Sequence, residues 1–206
     1  MMGGVSNADI LPDIRYALIG GHVVVDLMNT VEWRLDPDQS AEELASFGHL
    51  IAWAQQSELL TPEEVSTLTT LTAEHPRLAE RALSDVMELR EHAYAALLQG
   101  DDAAAAVVTG RYMQALSRAQ LSRNETDWTW REAAVTLDTI GDRLAIAAVD
   151  LMRSPEVKWL HQCEDVVCGW VYLDTSRRRN RRWCVADECG NRNRARAYYA
   201  RKTGRG

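Results

Sequence analysis

The chain has 206 residues, of which 46% are hydrophobic and 26% are charged, and its formal net charge is −7. That length can hold one ordinary domain and one small module. The sequence contains no apolar run long enough to span a bilayer, and its start lacks the charged and then apolar pattern of a secretory signal, so we expect a cytoplasmic protein that does not enter the membrane.

The net charge averages two parts of opposite sign. Residues 161–206 contain eleven Lys and Arg against five Asp and Glu, a net of +6, whereas residues 1–160 contain twelve against twenty-five, a net of −13. Such asymmetry indicates an anion-binding tail on an acidic body. Ser154-Pro155 stops the last long helical pattern, so we predict a helical domain over residues 1–154 and a basic module over residues 155–206.

The first part of the chain predicts one hairpin and then helices. β-Branched residues on either side of Gly20-Gly21 predict a short β-hairpin over residues 16–28. Ser40 followed by Glu43 is a capping-box pattern, which predicts a helix. The apolar stripe behind it consists of Leu44, Phe47, Ile51 and Ala54.

Further helices follow. Thr61-Pro62 is a strong helix start, and Pro76 begins a longer helix that Gly100 ends. Another helix is expected from Asp101-Asp102 to about residue 121, then a short strand over residues 127–130 and a last helix over residues 132–153. No nucleophile, phosphate-binding or metalloprotease motif occurs, so we do not expect an enzyme.

All four cysteines lie in the tail, as two C-x4-C pairs separated by fifteen residues: Cys163, Cys168, Cys184 and Cys189. Two short pairs at this separation favour a tetrahedral zinc site with four thiolate ligands. Four thiolates leave no position for a reactive water, so one structural Zn²⁺ is expected. Disulfides and unliganded thiols are the alternatives, although a reducing cytoplasm disfavours disulfides.

The tail therefore predicts a small α+β finger of the zinc-ribbon or treble-clef type on a mainly α body. Its expected order is a cysteine knuckle, a hairpin of residues 170–175 and 181–184, a second knuckle, and a helix over residues 191–202. In such a small module the metal replaces a hydrophobic core.

Basic residues crowd the hairpin tip and the helix, and we expect this surface to bind nucleic acid, most directly DNA. The expected contacts are Arg177, Arg178, Arg179, Arg181, Arg182, Asn191, Arg192, Arg194, Arg196, Arg201 and Lys202. Arg192, Arg196 and Tyr199 fall near one helical face and could enter a groove together. RNA is an alternative because aromatic residues lie among the arginines, and docking of an acidic protein partner is another.

A regulator with such a tail needs an input, and the body is the candidate sensor or dimerisation domain. Residues that could line a small-molecule effector pocket are Asn29, Thr30, Arg34, Trp128 and Trp130, although each one singly is better explained as a structural residue. One small finger buries little surface on DNA, so a homodimer is expected.

The tetrapeptide Cys189-Gly190-Asn191-Arg192, with Cys-x4-Cys-Gly-Trp before it, resembles the CGNR zinc-finger family closely. The body resembles the associated ABATE-type domain at Gly20-Gly21-His22, at residues 26–30 and at Leu89-Arg90-Glu91. Leu27-Met28 stands where that family usually has a larger aromatic residue. The resemblance implies a bacterial transcription regulator related to stress, with the four cysteines as zinc ligands and with Asn191 and Arg192 at the start of a nucleic-acid-binding helix.

Overall fold

The computed structural model describes residues 11–123 and 126–204. The α-helices are α1 (Val23–Met28), α2 (Phe47–Gln56), α3 (Pro62–Glu74), α4 (Pro76–Tyr94), α5 (Asp102–Arg118), α6 (Thr139–Arg153) and α7 (Asn191–Lys202). The strands are β1 (Val31–Glu32), β2 (Ala41–Glu42), β3 (Ala119–Arg123), β4 (Trp128–Glu132), β5 (Leu160–Gln162) and β6 (Val171–Leu173). β1 pairs with β2, β3 with β4 and β5 with β6, each time antiparallel. The predicted fold class, mainly helical with a small cysteine-rich module, is confirmed.

The chain forms two compact units. The helical unit contains residues 11–16 and 44–154, and the zinc unit contains residues 17–43 together with residues 155–204. The helical unit ends at Ser154, and the segment 17–43 groups with the C-terminal residues rather than with the helices that follow it. We call residues 17–43 the N-terminal segment.

Helix ends in the helical unit follow the local signals. The Thr61 hydroxyl accepts from the Glu64 backbone N–H while the Glu64 carboxylate accepts from that of Thr61, which completes a capping box. Asp101 caps α5 by accepting from two backbone N–H groups. Gly100 has a φ of +67°, the left-handed conformation that suits glycine after a helix.

The predicted hairpin over residues 16–28 is wrong, because residues 23–28 form the helix α1. His22 Nδ1 accepts from the Val24 N–H, and Asp26 Oδ1 accepts from the Gly20 N–H at 2.7 Å. Val24 and Val25 are buried, so packing outweighs their strand preference. Gly20 is required here for space, since a Cβ would lie 2.7 Å from Val25 Cγ1.

Two helix starts were also placed too early. Residues 41 and 42 form β2, and α2 begins only after Ser46, whose hydroxyl accepts from the His49 N–H. Residues 128–132 pair with β3, so the last helix of this unit begins at Thr139. The predicted apolar stripe, which begins before α2 and continues along it, is nevertheless buried: Leu44, Phe47, Ile51 and Ala54.

In the zinc unit, β6 pairs with β5 and not with residues 181–184, for which the described chain has no strand. The segment that connects these two strands therefore contains the first cysteine pair, and the arginine-rich loop follows β6 outside this hairpin. α7 has the bounds that the sequence predicted. Within residues 11–123 and 126–204, no helix is both long enough and apolar enough to cross a membrane.

Candidate metal centre and nucleic-acid interface

The four cysteines come together in the zinc unit. Their Sγ atoms lie within 4.8 Å of one another, and all four side chains are buried. Cys184 Sγ is 3.5 Å from Cys168 Sγ and 3.4 Å from Cys189 Sγ. These separations are far longer than a disulfide bond, and all four residues are free cysteines.

The donor set fits Zn²⁺. Four sulfur atoms about 2.3 Å from a tetrahedral zinc would be roughly 3.8 Å apart, close to the separations seen here. Hydrogen bonding to the Cys163 and Cys168 thiols, together with burial, raises the pKa of Cys184, and burial raises that of Cys189. Thiols so placed do not all ionise unless a cation compensates them, and a divalent metal supplies that charge.

Local backbone structure positions the two pairs. The Cys163 N–H donates to the Trp170 carbonyl at 2.8 Å, and the Cys168 N–H donates to the Asp165 carbonyl at 3.1 Å, which closes the first knuckle. Arg181 lies over the Tyr172 ring and donates to the carbonyls of Trp183 and Cys184, so this arginine supports the second pair.

Gly190, the second residue of the CGNR tetrapeptide, has helical φ and ψ. A Cβ at this position would lie 3.0 Å from Trp183 Cδ1. The glycine is therefore needed for close packing against the tryptophan and not for a special backbone turn. Asn191 does not cap α7; its side chain donates to the Asp187 carbonyl.

Two family models match the chain. Residues 160–202 match the CGNR zinc finger, and residues 21–155 match ABATE, described as "putative stress-induced transcription regulator". The second match covers more than half of the chain. The protein belongs to the ABATE family. Its four clustered cysteines lie within the matched finger and form the site of one structural zinc. No curated protein matches the chain.

Both ends of the ABATE match lie in the zinc unit, since residues 21–43 and residue 155 belong to that unit. The sequence family and the compact units therefore divide this ABATE protein differently.

Several arginines that were expected to contact nucleic acid have partners inside the zinc unit. Arg192 Nε is 2.5 Å from Asp165 Oδ2, and Arg196 Nη1 is 2.6 Å from Asp165 Oδ1. Arg182 pairs with Glu164 and lies over a tryptophan ring, and Arg181 supports the second cysteine pair as described above. These arginines therefore use some of their N–H donors within the zinc unit, and those donors are not available to nucleic acid.

The remaining basic residues are turned to solvent. Arg177, Arg178 and Arg179 are exposed in the loop after β6, where Arg179 lies over the Trp159 ring. Arg194, Arg201 and Lys202 are exposed on α7, and Arg194 donates to the Asn191 side-chain oxygen within the helix. None of the twelve residues of α7 is buried.

α7 has two chemically different faces. At 100° per residue, Arg192 and Arg196 share the face that contacts Asp165, while Arg194, Tyr198 and Arg201 share the opposite face. Tyr198 on this opposite face is 55% exposed. The sequence predicted that Arg192, Arg196 and Tyr199 enter a groove together. In the structure the two arginines pair with Asp165, while Tyr199 and the residues of the opposite face are exposed.

The residues expected to line an effector pocket fall in different units. Asn29, Thr30 and Arg34 belong to the zinc unit, where their side chains bond to the backbone of Val171, Leu27 and Met28, respectively. These bonds give each of the three side chains a structural task.

Trp128 and Trp130 belong to the helical unit and line an open groove of about 820 Å³. Trp128 is 64% exposed. The groove floor includes Ile146 and Arg143, and Arg143 pairs with Glu64 at 2.5 Å.

Two residues of the metal centre's surroundings were missed in the sequence. Asp165 is fully buried between the first two cysteines, and Trp33 lies under the Arg192 guanidinium. Burial alone would raise the pKa of Asp165, but hydrogen bonds and positive charge from Arg196 and Arg192 outweigh it and lower that pKa. The sequence could have indicated Asp165, because it is an acidic residue inside a cysteine knuckle of a basic module. No sequence pattern indicates Trp33, because it lies far from the cysteines in the chain.

Proposed function

We propose that this ABATE protein is a zinc-dependent, DNA-binding transcription regulator of the bacterial cytoplasm and not an enzyme. The observation that supports DNA binding most is α7, a helix without a buried residue that begins two residues after the fourth cysteine. A helix that buries none of its own residues gains little stability from packing, which fits a surface that a partner covers. Its basic and aromatic exposed face fits the major groove of DNA.

The zinc positions this helix. Cys189 precedes α7 by two residues, so the metal fixes the start of the helix relative to the first knuckle. Arg194 and Arg201 on the open face are assigned to base edges or adjacent phosphates. The loop arginines Arg177 and Arg178 are assigned to phosphates, since both are exposed in the same unit and charged side chains can contact phosphate without reading bases.

The helical unit supplies the input and the dimer contact in this proposal. The groove at Trp128 and Trp130 offers aromatic walls, and Glu58 and Asp150 on its lining have no ion-pair partner within the described chain. An effector with a flat apolar body and a positive charge would complement such a groove. Two fingers on one operator would give the affinity that a single small finger lacks.

The test of DNA binding is selection from fragmented genomic DNA by zinc-loaded protein, with Cys184→Ser as the control. We expect a few enriched fragments that share a two-fold related motif, and we expect the control to lose them. Uniform recovery of fragments, or recovery unaffected by the control substitution, would contradict sequence-specific binding through the zinc unit.

RNA binding is the second candidate, and the adjacent exposed rings of Tyr198 and Tyr199 favour it. Their centroids are 5.6 Å apart, and Tyr199 is 62% exposed. Exposed rings among arginines can stack on unpaired bases. Competition between duplex DNA, single-stranded DNA and structured RNA for the same protein separates the two candidates, and failure of all three competitors would leave an acidic protein as the partner.

A further inference from the structure

Arg192 contacts three groups that belong to separate parts of the zinc unit. Its Nη2 lies 3.0 Å from Cys189 Sγ, and its Nε donates to Asp165 at 2.5 Å. Its guanidinium carbon lies 4.3 Å from the centre of the Trp33 ring. The side chain is 29% exposed, so most of it is taken up by these contacts. An arginine available for DNA would leave its planar donor fork open.

Asp165 links the arginine to the first pair of cysteines. Its side chain is fully buried and accepts from Arg192 and Arg196, while its carbonyl accepts from the Cys168 N–H. A buried carboxylate needs such partners, because an unpaired charge is costly away from water. The pair therefore fastens the start of α7 to the first knuckle through charged hydrogen bonds.

The N-terminal segment bonds to the same knuckle through its backbone. The Arg34 N–H donates to the Cys168 carbonyl at 3.0 Å, and the Leu35 N–H donates to the Val167 carbonyl at 3.2 Å. Gly169 has a φ of +73°, and a Cβ there would lie 2.8 Å from Arg34 Cβ. This knuckle is thus shaped to accept residues 34 and 35 beside it.

We propose that Arg192 is an outer-sphere positioning residue of the zinc site and that Trp33, against which it packs, makes the N-terminal segment part of the metal centre. Four thiolates around Zn²⁺ have a net charge of −2, and the guanidinium beside Cys189 offsets part of that charge. Donors to a ligating atom orient it and tune the metal, and their loss typically weakens metal binding 10–100-fold. The inference concerns metal retention and does not depend on DNA binding.

The test uses the zinc-loaded full chain and a chromogenic chelator that competes for the metal. We expect Arg192→Gln to lower zinc affinity at least about tenfold, in the range known for such outer-sphere partners. Arg194→Gln is the matched control, since it removes the same charge from the opposite face of the same helix. It should retain zinc like the unaltered protein. Trp33→Leu should weaken zinc binding less than Arg192→Gln does.

A second measurement separates positioning from a general loss of folding. In the Co²⁺-substituted protein, the thiolate-to-cobalt charge-transfer band reports on the ligating sulfurs of folded molecules only. Loss of the donor to Cys189 should move this band to longer wavelength in Arg192→Gln, and Arg192→Lys should restore part of the shift. Equal zinc affinity for Arg192→Gln and Arg194→Gln, or an unshifted cobalt band in Arg192→Gln, would overturn the proposal.

Discussion

Asn29 is the most informative residue to alter in the N-terminal segment. Its Nδ2 donates to the Val171 carbonyl at 2.9 Å, and its Oδ1 accepts from the Val171 N–H at 2.8 Å. The side chain thus takes the place of a neighbouring strand along the outer edge of β6, where the Leu173 N–H also donates to the Gly20 carbonyl. Asn29 is 2% exposed and Val171 is fully buried, so water cannot easily replace these bonds.

Asn29→Ala would leave the N–H and the carbonyl of Val171 without partners. A buried backbone group without a hydrogen bond costs about 1–3 kcal/mol, so the two groups together should lower the free energy of unfolding by about 2–6 kcal/mol. Asn29→Asp should cost at least as much at pH 7, because it places a carboxylate oxygen against the Val171 carbonyl.

The assay is urea unfolding of the zinc-loaded protein, followed by tryptophan fluorescence. Asn180→Ala is the control, because Asn180 is exposed in the arginine-rich loop and should change the free energy of unfolding by less than about 0.5 kcal/mol. If Asn29→Ala matched that control, with an unchanged dependence on urea, the bonds to Val171 would contribute nothing and the structural task assigned to Asn29 would be wrong.

Three further predictions concern the metal, one buried acid and the basic loop. Cys184→Ser should abolish zinc binding, measured as metal content, while the helical circular dichroism signal largely persists, because a structural zinc contributes on the order of 10 kcal/mol to a small module. Burial raises the pKa of Asp26 to about 6 from 3.8, so its stabilising contribution is complete below pH 3.8 and is lost as the pH rises through 6. Between pH 4 and pH 7 the free energy of unfolding of the unaltered protein should therefore fall by up to about 3 kcal/mol relative to that of Asp26→Asn, measured by urea unfolding. The same pH dependence of the free energy of unfolding in both proteins would contradict this. Arg178→Ala should weaken binding to all DNA sequences alike and reduce the salt dependence of binding by about one counterion, and a change in sequence preference would contradict a phosphate contact.

Local chemistry was enough to predict the metal centre. The spacing of Cys163, Cys168, Cys184 and Cys189 predicted the cluster, since ligand spacing within a knuckle is a local property. The bounds of α7 and the helix start at Thr61-Pro62 were likewise determined by neighbouring residues.

Long-range pairing was beyond the sequence alone. Val23–Val25 favoured a strand locally, yet these residues lie in a helix whose burial outweighs that preference. Asn29 and Val171 are 142 residues apart, and no local pattern indicates that the Asn29 side chain bonds to the edge of the strand that contains Val171. For the same reason the membership of residues 17–43 in the zinc unit could not be predicted.

Arg192 shows how composition alone can mislead. The sequence placed Arg192 on one helical face with Arg196 and Tyr199, and it predicted that both Arg192 and Arg194 contact nucleic acid. Only the fold places a buried carboxylate, Asp165, and a zinc ligand beside one of them. The arginine of the tetrapeptide is thereby assigned to the metal centre, and its neighbour two positions later is assigned to the partner.

The central claim is that the open face of α7 contacts DNA while zinc holds the helix in place. The most direct measurement is the affinity of zinc-loaded Arg194→Gln for a duplex recovered from the genomic selection. Arg77→Gln, on the exposed side of α4 in the helical unit, is the charge-matched control. We expect Arg194→Gln to bind about tenfold or more weakly with one zinc per chain retained, and Arg77→Gln to bind like the unaltered protein. Equal affinity for the two variants would contradict the claim.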